Sequence, residues 1–368
     1  MRIAYVLASL GMGGAERQVL TLAGRMARRG HTVLIVVLRP QLPEEWPTHL
    51  DVVYLDMRRR PHRLIPALLR GRRFLSQFQP DLVHSHTYPG NLVARVLHLL
   101  APLPAPVSTV HNVYEGGWLR MLAYRLTDGL SLRATAVSQA AARRFIQLKA
   151  VSAAKCQVIT NGIDTLEFTP DSGRRARLRE QMGVDREFVW FTAGRLVQAK
   201  NYPNLLRAFA QVRAMHPEAQ LWVAGESTPI EATRFQHMAA QRGMGDAVRY
   251  LGLRRDIPAL LDAADAFVLG SEWEGMPLAV GEAMAMEKPV VATDVGGVKE
   301  MVGEAGLLVP ARDANKLAGA MLDVMQRSAQ DRQALGRAAR ERIVTSFNLD
   351  AKADEWEALY RAVLADRH

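Results

Sequence analysis

Short apolar runs alternate with longer amphipathic stretches from one end of the chain to the other. Residues 3–10, 32–38, 50–55, 81–86, 107–111, 134–138 and 156–160 read as strands. Several are near-continuous Val/Ile/Leu runs, the pattern of a parallel sheet covered on both faces. Helical periodicity fills the gaps, as in "AERQVLTLAGRMARRG" after the first strand. A second series starts at "FVWFTAGRL" (188–196) and runs through "AQLWVAGE", "VRYLG", "AFVLGS", "PVVATD" and "GLLVP". This strand–helix alternation, twice over, predicts an α/β protein of two doubly wound, Rossmann-like domains. At 368 residues the chain exceeds the size one hydrophobic core usually serves. The polar stretch 165–187, rich in Pro, Gly and Arg, sets the expected domains at 1–165 and 166–349, and "LDAKADEWEALYRAVLADR" reads as one terminal helix. Ligands of open α/β sheets sit beyond the strands' carboxyl ends, so a site is expected in a cleft between the domains.

Charge changes this picture. Residues 1–160 hold 21 Lys+Arg against 8 Asp+Glu, a balance of +13, whereas residues 161–368 hold 26 against 29, a balance of −3. A basic first half suggests approach to something anionic, although an arginine-rich composition gives the same count. The segment 57–78, "MRRRPHRLIPALLRGRRFLSQF", interleaves arginines with Leu, Ile and Phe, as does a helix lying on an anionic bilayer. "WLRMLAYRL" (118–126) could add an aromatic anchor, and ordinary surface helices with snorkelling arginines fit equally. The single cysteine, Cys156, allows no internal disulfide and fits a cytoplasmic setting. The longest apolar region, 91–110, is interrupted by Arg95, His98 and three prolines, so no membrane span is expected. The opening "MRIAYVLASLGMGGA" reads as a first strand and not as a signal peptide, because an amphipathic helix and a buried strand follow at once.

The candidate chemistry lies at strand ends. "SLGMGGAERQ" offers glycines through which backbone can approach a ligand at a helix start. A nicotinamide fingerprint is incomplete there: Gly11 and Gly13 fit, but Glu16 takes the third glycine position. Arg39 at the end of the second strand leaves an NADP site as an alternative. "FTAGRLVQAKN" places Arg195 and Lys200 just past a buried strand, two cations suited to neutralising a departing diphosphate. In "SEWEGMPLAVGEAM" the free amides from Gly275 to Ala279, with Pro277 as first helical residue, would face an anion. Glu274 points into the same space, and Glu282 is placed to accept from a cis-diol such as ribose. "DLVHSHT" puts His84 and His86 on one side of a strand, with His84 read as core, whereas His111 ends its strand and is the better functional candidate. "DAAD" (262–265) has helical spacing, and no clear metal-ligand set stands out. A Ser-His-Asp hydrolase is disfavoured by the lack of a G-x-S-x-G elbow.

Taken in order, "SLGMGGAERQ", "AVSQ", "VITNGIDTLEF", "AGRLVQAKN", "VAGE", "YLG", "AADAFVLGSEWEGMPLAVGEAMA" and "PVVATDVGG" resemble the blocks of the retaining glycosyltransferases of family 4. The resemblance covers nearly the whole chain. It implies the GT-B fold, two Rossmann-like domains facing across a cleft, with a C-terminal helix near 350–368 returning to the first domain. Glu274 and Glu282 match the family's E-x7-E pair, the first meeting the donor sugar and the second the ribose. Arg195 and Lys200 match its diphosphate grip, His111 a histidine beside the donor sugar, and Gly13 and Gly14 its glycine loop. Leu253 and Arg254 fall where the base is held. Gly275, Met276, Pro277 and Leu278 complete the donor pocket, with Met276 where Phe or Leu is commoner.

The resemblance implies sugar transfer from a nucleotide-sugar, UDP ahead of GDP, to a glycan or lipid-linked acceptor with retained configuration. Hexosyl or N-acetylhexosaminyl transfer in cell-surface polysaccharide or lipopolysaccharide synthesis is expected. So are no metal, no cofactor, no nucleic-acid partner, and a cytoplasmic enzyme peripheral to an anionic membrane face. A sugar-nucleotide epimerase of similar fold and a pyridoxal phosphate-dependent phosphorylase are the other enzyme readings. A nucleic-acid-binding protein would explain the arginines but not the two glutamates.

Overall fold

The computed structural model describes residues 1–11, 13–40, 48–57 and 61–366, with 61–63 described in backbone only. Met12 of the glycine loop and Arg58, Arg59 and Arg60 of the basic segment 57–78 lie outside the described residues. The chain forms two compact units, Met1–Gly162 with Leu349–His368, and Ile163–Asn348.

Among the described residues the first unit is built on seven strands: β1 (Arg2–Leu7), β2 (Thr32–Val37), β3 (Asp51–Tyr54), β4 (Leu82–His86), β5 (Val107–Val110), β6 (Arg133–Ala136) and β7 (Cys156–Val158). They lie in the order β3-β2-β1-β4-β5-β6-β7, every pairing parallel. Its helices include α1 (Gly14–Arg28), α2 (Pro61–Phe78), α3 (Thr87–Leu100), α4 (Trp118–Thr127) and α5 (Gln139–Gln147). The period of two along β1 explains why both faces are covered. Ile3, Tyr5 and Leu7 enter a core with Val19, Leu22 and Met26 of α1 and with Trp356 and Tyr360 of the C-terminal helix Leu349–Ala365. Ala4 and Val6 face the opposite layer, with Ala67, Leu75, Val93 and Leu97. Arg25–Asp350 (2.7 Å) and Arg29–Glu357 (3.0 Å) pin the C-terminal helix to α1.

The second unit has six strands: β8 (Val189–Ala193), β9 (Gln220–Ala224), β10 (Val248–Gly252), β11 (Ala266–Leu269), β12 (Val290–Thr293) and β13 (Leu307–Val309). Their order is β10-β9-β8-β11-β12-β13, again wholly parallel. Around them lie α6 (Ser172–Gln181), α7 (Tyr202–Met215), α8 (Pro229–Ala240), α9 (Ile257–Ala263), α10 (Leu278–Ala285), α11 (Val298–Val302), α12 (Ala314–Gln326) and α13 (Ala329–Ser346). Trp190, Val223, Val268 and Val291 pack on Leu206 and Phe209 of α7 and Leu317 and Met321 of α12. Strand order reverses between β1 and β4 in one unit and between β8 and β11 in the other. The loops leaving these strands carry most of the candidate residues, as the switch-point rule requires.

Three expectations need correction. The first strand ends at Leu7, not residue 10: its register with β2 stops at Leu7 and Val37, and past that pair the Arg39 amide donates to the Ala8 carbonyl at 3.1 Å before the segments part. The domain boundary expected at 165 falls at Gly162, and the polar stretch 165–187 holds α6, whose Arg174 pairs with Asp262 and whose Arg175 (2.6 Å) and Arg179 (3.2 Å) pair with Asp265. "DAAD" is not one helical face either, since α9 stops at Ala263 and Asp265 lies beyond it, accepting from the Val189 amide at 2.8 Å.

Candidate functional site

In the second unit the site grows from the carboxyl end of β8. The Gly194 amide donates to Ala224 at 2.9 Å, so the loops leaving β8 and β9 run side by side. They approach so closely that a Cβ on Gly225 would overlap the Gly194 carbonyl. Tyr202, the first residue of α7, donates its hydroxyl to the Gly194 carbonyl at 2.7 Å and closes the loop from the other side. The Arg195 carbonyl accepts from the Val197 amide at 2.8 Å, and its side chain projects from this frame exposed, with no hydrogen bond or ion pair of its own among the described residues. Lys200 ends a 3-10 turn, and Asn201 then takes the left-handed conformation (φ 45°) that starts α7.

Lys200 Nζ donates to Glu274 Oε1 at 2.6 Å, and Ser271 Oγ donates to the same oxygen at 2.7 Å. Thr293 at the end of β12 donates to the Ser271 carbonyl at 2.7 Å and fixes that turn. Glu274 is buried, so the ion pair satisfies a carboxylate that water reaches poorly. The turn is also held from behind. The Gly297 amide donates to the Gly275 carbonyl at 2.8 Å, and Gly296 (φ 56°) sits so near the Glu274 carbonyl that no Cβ fits. Gly275, Met276 and Pro277 are buried. Pro277 is the N-cap of α10 and not its first helical residue: its ψ of 113° is extended, and the helix begins at Leu278. Glu282 lies just over a turn into α10 and is buried. After β10, Leu253 is partly exposed, while Arg254 makes a two-bond pair with Asp256 at 2.6 and 2.8 Å.

In the first unit Gly13 caps α1 from an extended conformation (φ −86°, ψ 160°), its amide donating to Gly11 at 2.8 Å, and Gly14 opens the helix. Glu16 folds back to accept from Ser9 Oγ at 3.2 Å, which sets a carboxylate where a dinucleotide's pyrophosphate would need amides. His111 follows β5 directly. Its amide donates to Glu115 Oε1 at 2.9 Å, and its Nε2 meets His86 Nδ1 at 3.0 Å. Burial lowers the His111 pKa to about 4, and burial followed by the charges of His84 and His111 lowers that of His86 well below the usual value. Burial pushes Glu115 up to about 7, against the Tyr124 hydroxyl that donates to its Oε2 at 2.7 Å. His84 is a core residue, bonded to the Tyr360 hydroxyl (2.7 Å) and Thr109 Oγ1 (2.6 Å).

The structure therefore brings Lys200 and Glu274 into contact and sets Arg195 and the start of α10 on neighbouring strand-end loops of one sheet. Ser271, Gly296 and Glu115 escaped the sequence reading, and His86 was placed beside His84 but given no role. Ser271 lies three residues before Glu274 and Glu115 four after His111, and only those spacings could have drawn attention to them.

Two parallel doubly wound units with glycine-lined, charged loops at their strand ends define the class as nucleotide-binding α/β enzymes of the GT-B fold. Residues 12–167 match the family model described as Glycosyltransferase Family 4, and residues 174–342 match Glycosyl transferases group 1. A UDP-Gal:alpha-D-GlcNAc-diphosphoundecaprenol alpha-1,3-galactosyltransferase of Escherichia coli is 26% identical over 312 residues, covering 80% of this chain and 78% of that protein. A D-inositol 3-phosphate glycosyltransferase of Corynebacterium jeikeium is 30% identical over 308 residues, covering 76% and 72%. Anabaena HepE, solved with UDP and glucose, superposes with a TM-score of 0.86 at 22% identity, over 98% of this chain and 100% of that one. The chain belongs to the family 4 glycosyltransferases, enzymes that use nucleotide-sugars. That assignment sets aside the oxidoreductase alternative. Among the described residues no helix is long and apolar enough to cross a membrane.

Proposed function

We propose that the enzyme moves a hexosyl or N-acetylhexosaminyl unit from a UDP-sugar, with retained configuration and without a metal, to a glycan or lipid-linked acceptor of cell-surface polysaccharide or lipopolysaccharide synthesis. The observation that carries this reading is the Lys200–Glu274–Ser271 cluster at the carboxyl end of β8 and β11. Arg195 and Lys200 neutralise charge on the leaving diphosphate, aided by the amides that open α10. Glu274 accepts from the donor sugar, Glu282 from the ribose 2′- and 3′-hydroxyls, and the backbone at Leu253 and Arg254 meets the base. Gly275, Met276, Pro277 and Leu278 line the donor, and Gly13, Gly14 and His111 complete its contacts. The sugar–phosphate C–O bond breaks, the acceptor oxygen bonds to the same face of the sugar, and the acceptor's proton passes to the departing phosphate oxygen. With the positive charge supplied by side chains and amides, neither a metal nor an organic cofactor is required.

The galactosyltransferase relative named above, with its UDP-Gal donor and diphosphoundecaprenol carrier, supports a UDP-sugar and a lipid-linked acceptor. A cytoplasmic enzyme peripheral to the anionic inner face of the membrane is supported by α4, whose Trp118, Leu119, Leu122 and Leu126 are exposed while Tyr124 on the opposite side is buried. Exposed Arg125 borders that apolar stripe.

The test is turnover of UDP-, GDP- and ADP-sugars in excess EDTA. UDP-sugar turnover that falls about a hundredfold or more in Lys200→Ala is expected. Turnover of GDP-sugars alone, or its loss in EDTA, overturns the donor or the metal-free part respectively. Sedimentation with phosphatidylglycerol vesicles tests the membrane part: W118S/L122S/L126S should abolish binding, and unchanged binding refutes the role of α4.

A further inference from the structure

We infer that His86 is a positioning residue for His111: its Nδ1–H donates to His111 Nε2, which fixes His111 in the tautomer that carries its proton on Nδ1. This rests on the reading above, in which His111 contacts the donor sugar. The geometry comes from the sheet. His86 is in register with Thr109 on the neighbouring strand, and His111 lies two residues further along the same side, so the two rings meet at 3.0 Å.

Both rings are held neutral by burial, and among the described residues no carboxylate bonds either ring, since Glu115 binds the His111 backbone amide. A single proton then lies between the two nitrogens, in one of two arrangements. If His111 donated from Nε2, the proton of His86 would sit on its own Nε2. That atom is buried and has no partner among the described residues, so it would be an orphaned buried N–H. With the proton on His86 Nδ1, the same atom is only a bare lone pair. Buried N–H groups without acceptors are rarer and costlier than under-used acceptors, which selects the second arrangement. The His86 ring cannot turn away easily. Tyr5 stacks on it at 5.9 Å and 22°, and His84 packs against it at 4.0 Å. Nor can His84 substitute, because both of its nitrogens are engaged.

His111 then presents a neutral N–H. It acts toward a sugar hydroxyl or ring oxygen as a hydrogen-bond donor and not as a base.

The experiment pairs ¹⁵N-histidine NMR of the whole enzyme with kinetics of His86→Asn, His86→Gln and His86→Leu. Asparagine keeps an N–H at the Nδ1 position, whereas glutamine reaches only toward Nε2 and leucine offers none. Expected are the Nδ1–H form of His111 in the wild type and in H86N, and the Nε2–H form in H86L. In parallel, kcat should stay within about threefold in H86N and fall about tenfold in H86Q and H86L with little change in KM. A wild-type His111 protonated on Nε2, or a H86L enzyme still in the Nδ1–H form, overturns the inference. The inferred tautomers with full activity in His111→Ala would uphold the pairing and instead remove His111 from the donor site. H86N, which keeps the polar contact, guards against reading a folding defect as loss of function.

Discussion

Replacing Glu274 by glutamine should tighten the binding of UDP while crippling sugar transfer. The Lys200 ammonium is committed to Glu274 Oε1 at 2.6 Å, with the two side chains 18% and 10% exposed. A diphosphate must take that cation from the carboxylate or share it. Hydrogen bonds to charged groups contribute about 1.5–3 kcal/mol, and partial exposure of the lysine favours the lower end. Glutamine in that place would keep a carbonyl for the Ser271 hydroxyl but lose the charge that holds Lys200. Freeing the cation should then be worth about 1.4 kcal/mol to an incoming diphosphate, roughly a tenfold lower Kd for UDP. UDP has no sugar beyond its ribose, so the hexose contact proposed for Glu274 does not enter. Isothermal titration of UDP into wild type, E274Q, K200M and the double variant provides the assay. K200M should weaken UDP, and the double variant should resemble K200M, because the carboxylate matters to UDP only through the lysine. Transfer from the UDP-sugar should drop about a hundredfold in E274Q despite the tighter product. If E274Q weakened UDP as much as K200M, or left it unchanged, the ion pair would not be a competitor for phosphate and the reasoning would fail.

Gly296→Ala combines a left-handed φ of 56° with a Cβ inside the Glu274 carbonyl, so the turn carrying Glu274 must move. Overpacking and the unfavourable backbone should cost roughly 2–4 kcal/mol, seen as a fall of about 5–15 °C in Tm by calorimetry. An unchanged Tm would refute the buttressing of that turn by the loop after β12. Glu115 tests the first unit by pH. Its carboxyl is raised from 4.5 to about 7, so the unfolded chain ionises first. Its contribution is therefore level below about pH 4.5, declines by roughly 3 kcal/mol as pH rises to about 7, and is level again above. Glu115→Gln removes that decline, and denaturant melts at pH 5 and pH 8 should show the wild type losing more stability than the variant between them. Equal losses would contradict the burial argument.

The order of elements was legible in the sequence because burial on both faces of a parallel strand leaves a local record, a Val/Ile/Leu run that needs no knowledge of the neighbours. Positions of the candidate residues followed for the same reason. Arg195, Lys200 and Glu274 sit directly after such runs, and the strand-end rule turns that into a location. Pairings are another matter. Lys200 and Glu274 are 74 residues apart in the chain and touch because β8 lies beside β11. His86 meets His111 because β4 lies beside β5, in a register no periodicity encodes. Whether an amphipathic helix turns its apolar stripe inward is likewise settled by what packs on it: on α4 the sheet side takes Tyr124 and leaves Trp118 and Leu126 outside. Asp262 and Asp265 looked alike on paper, yet α9 ends between them and α6 claims both. Periodicity belongs to one segment and its solvent boundary, which is why strands and helices can be read without knowing the fold. Contact, protonation and burial of charge depend on which segments become neighbours, and that is set only when the sheets assemble.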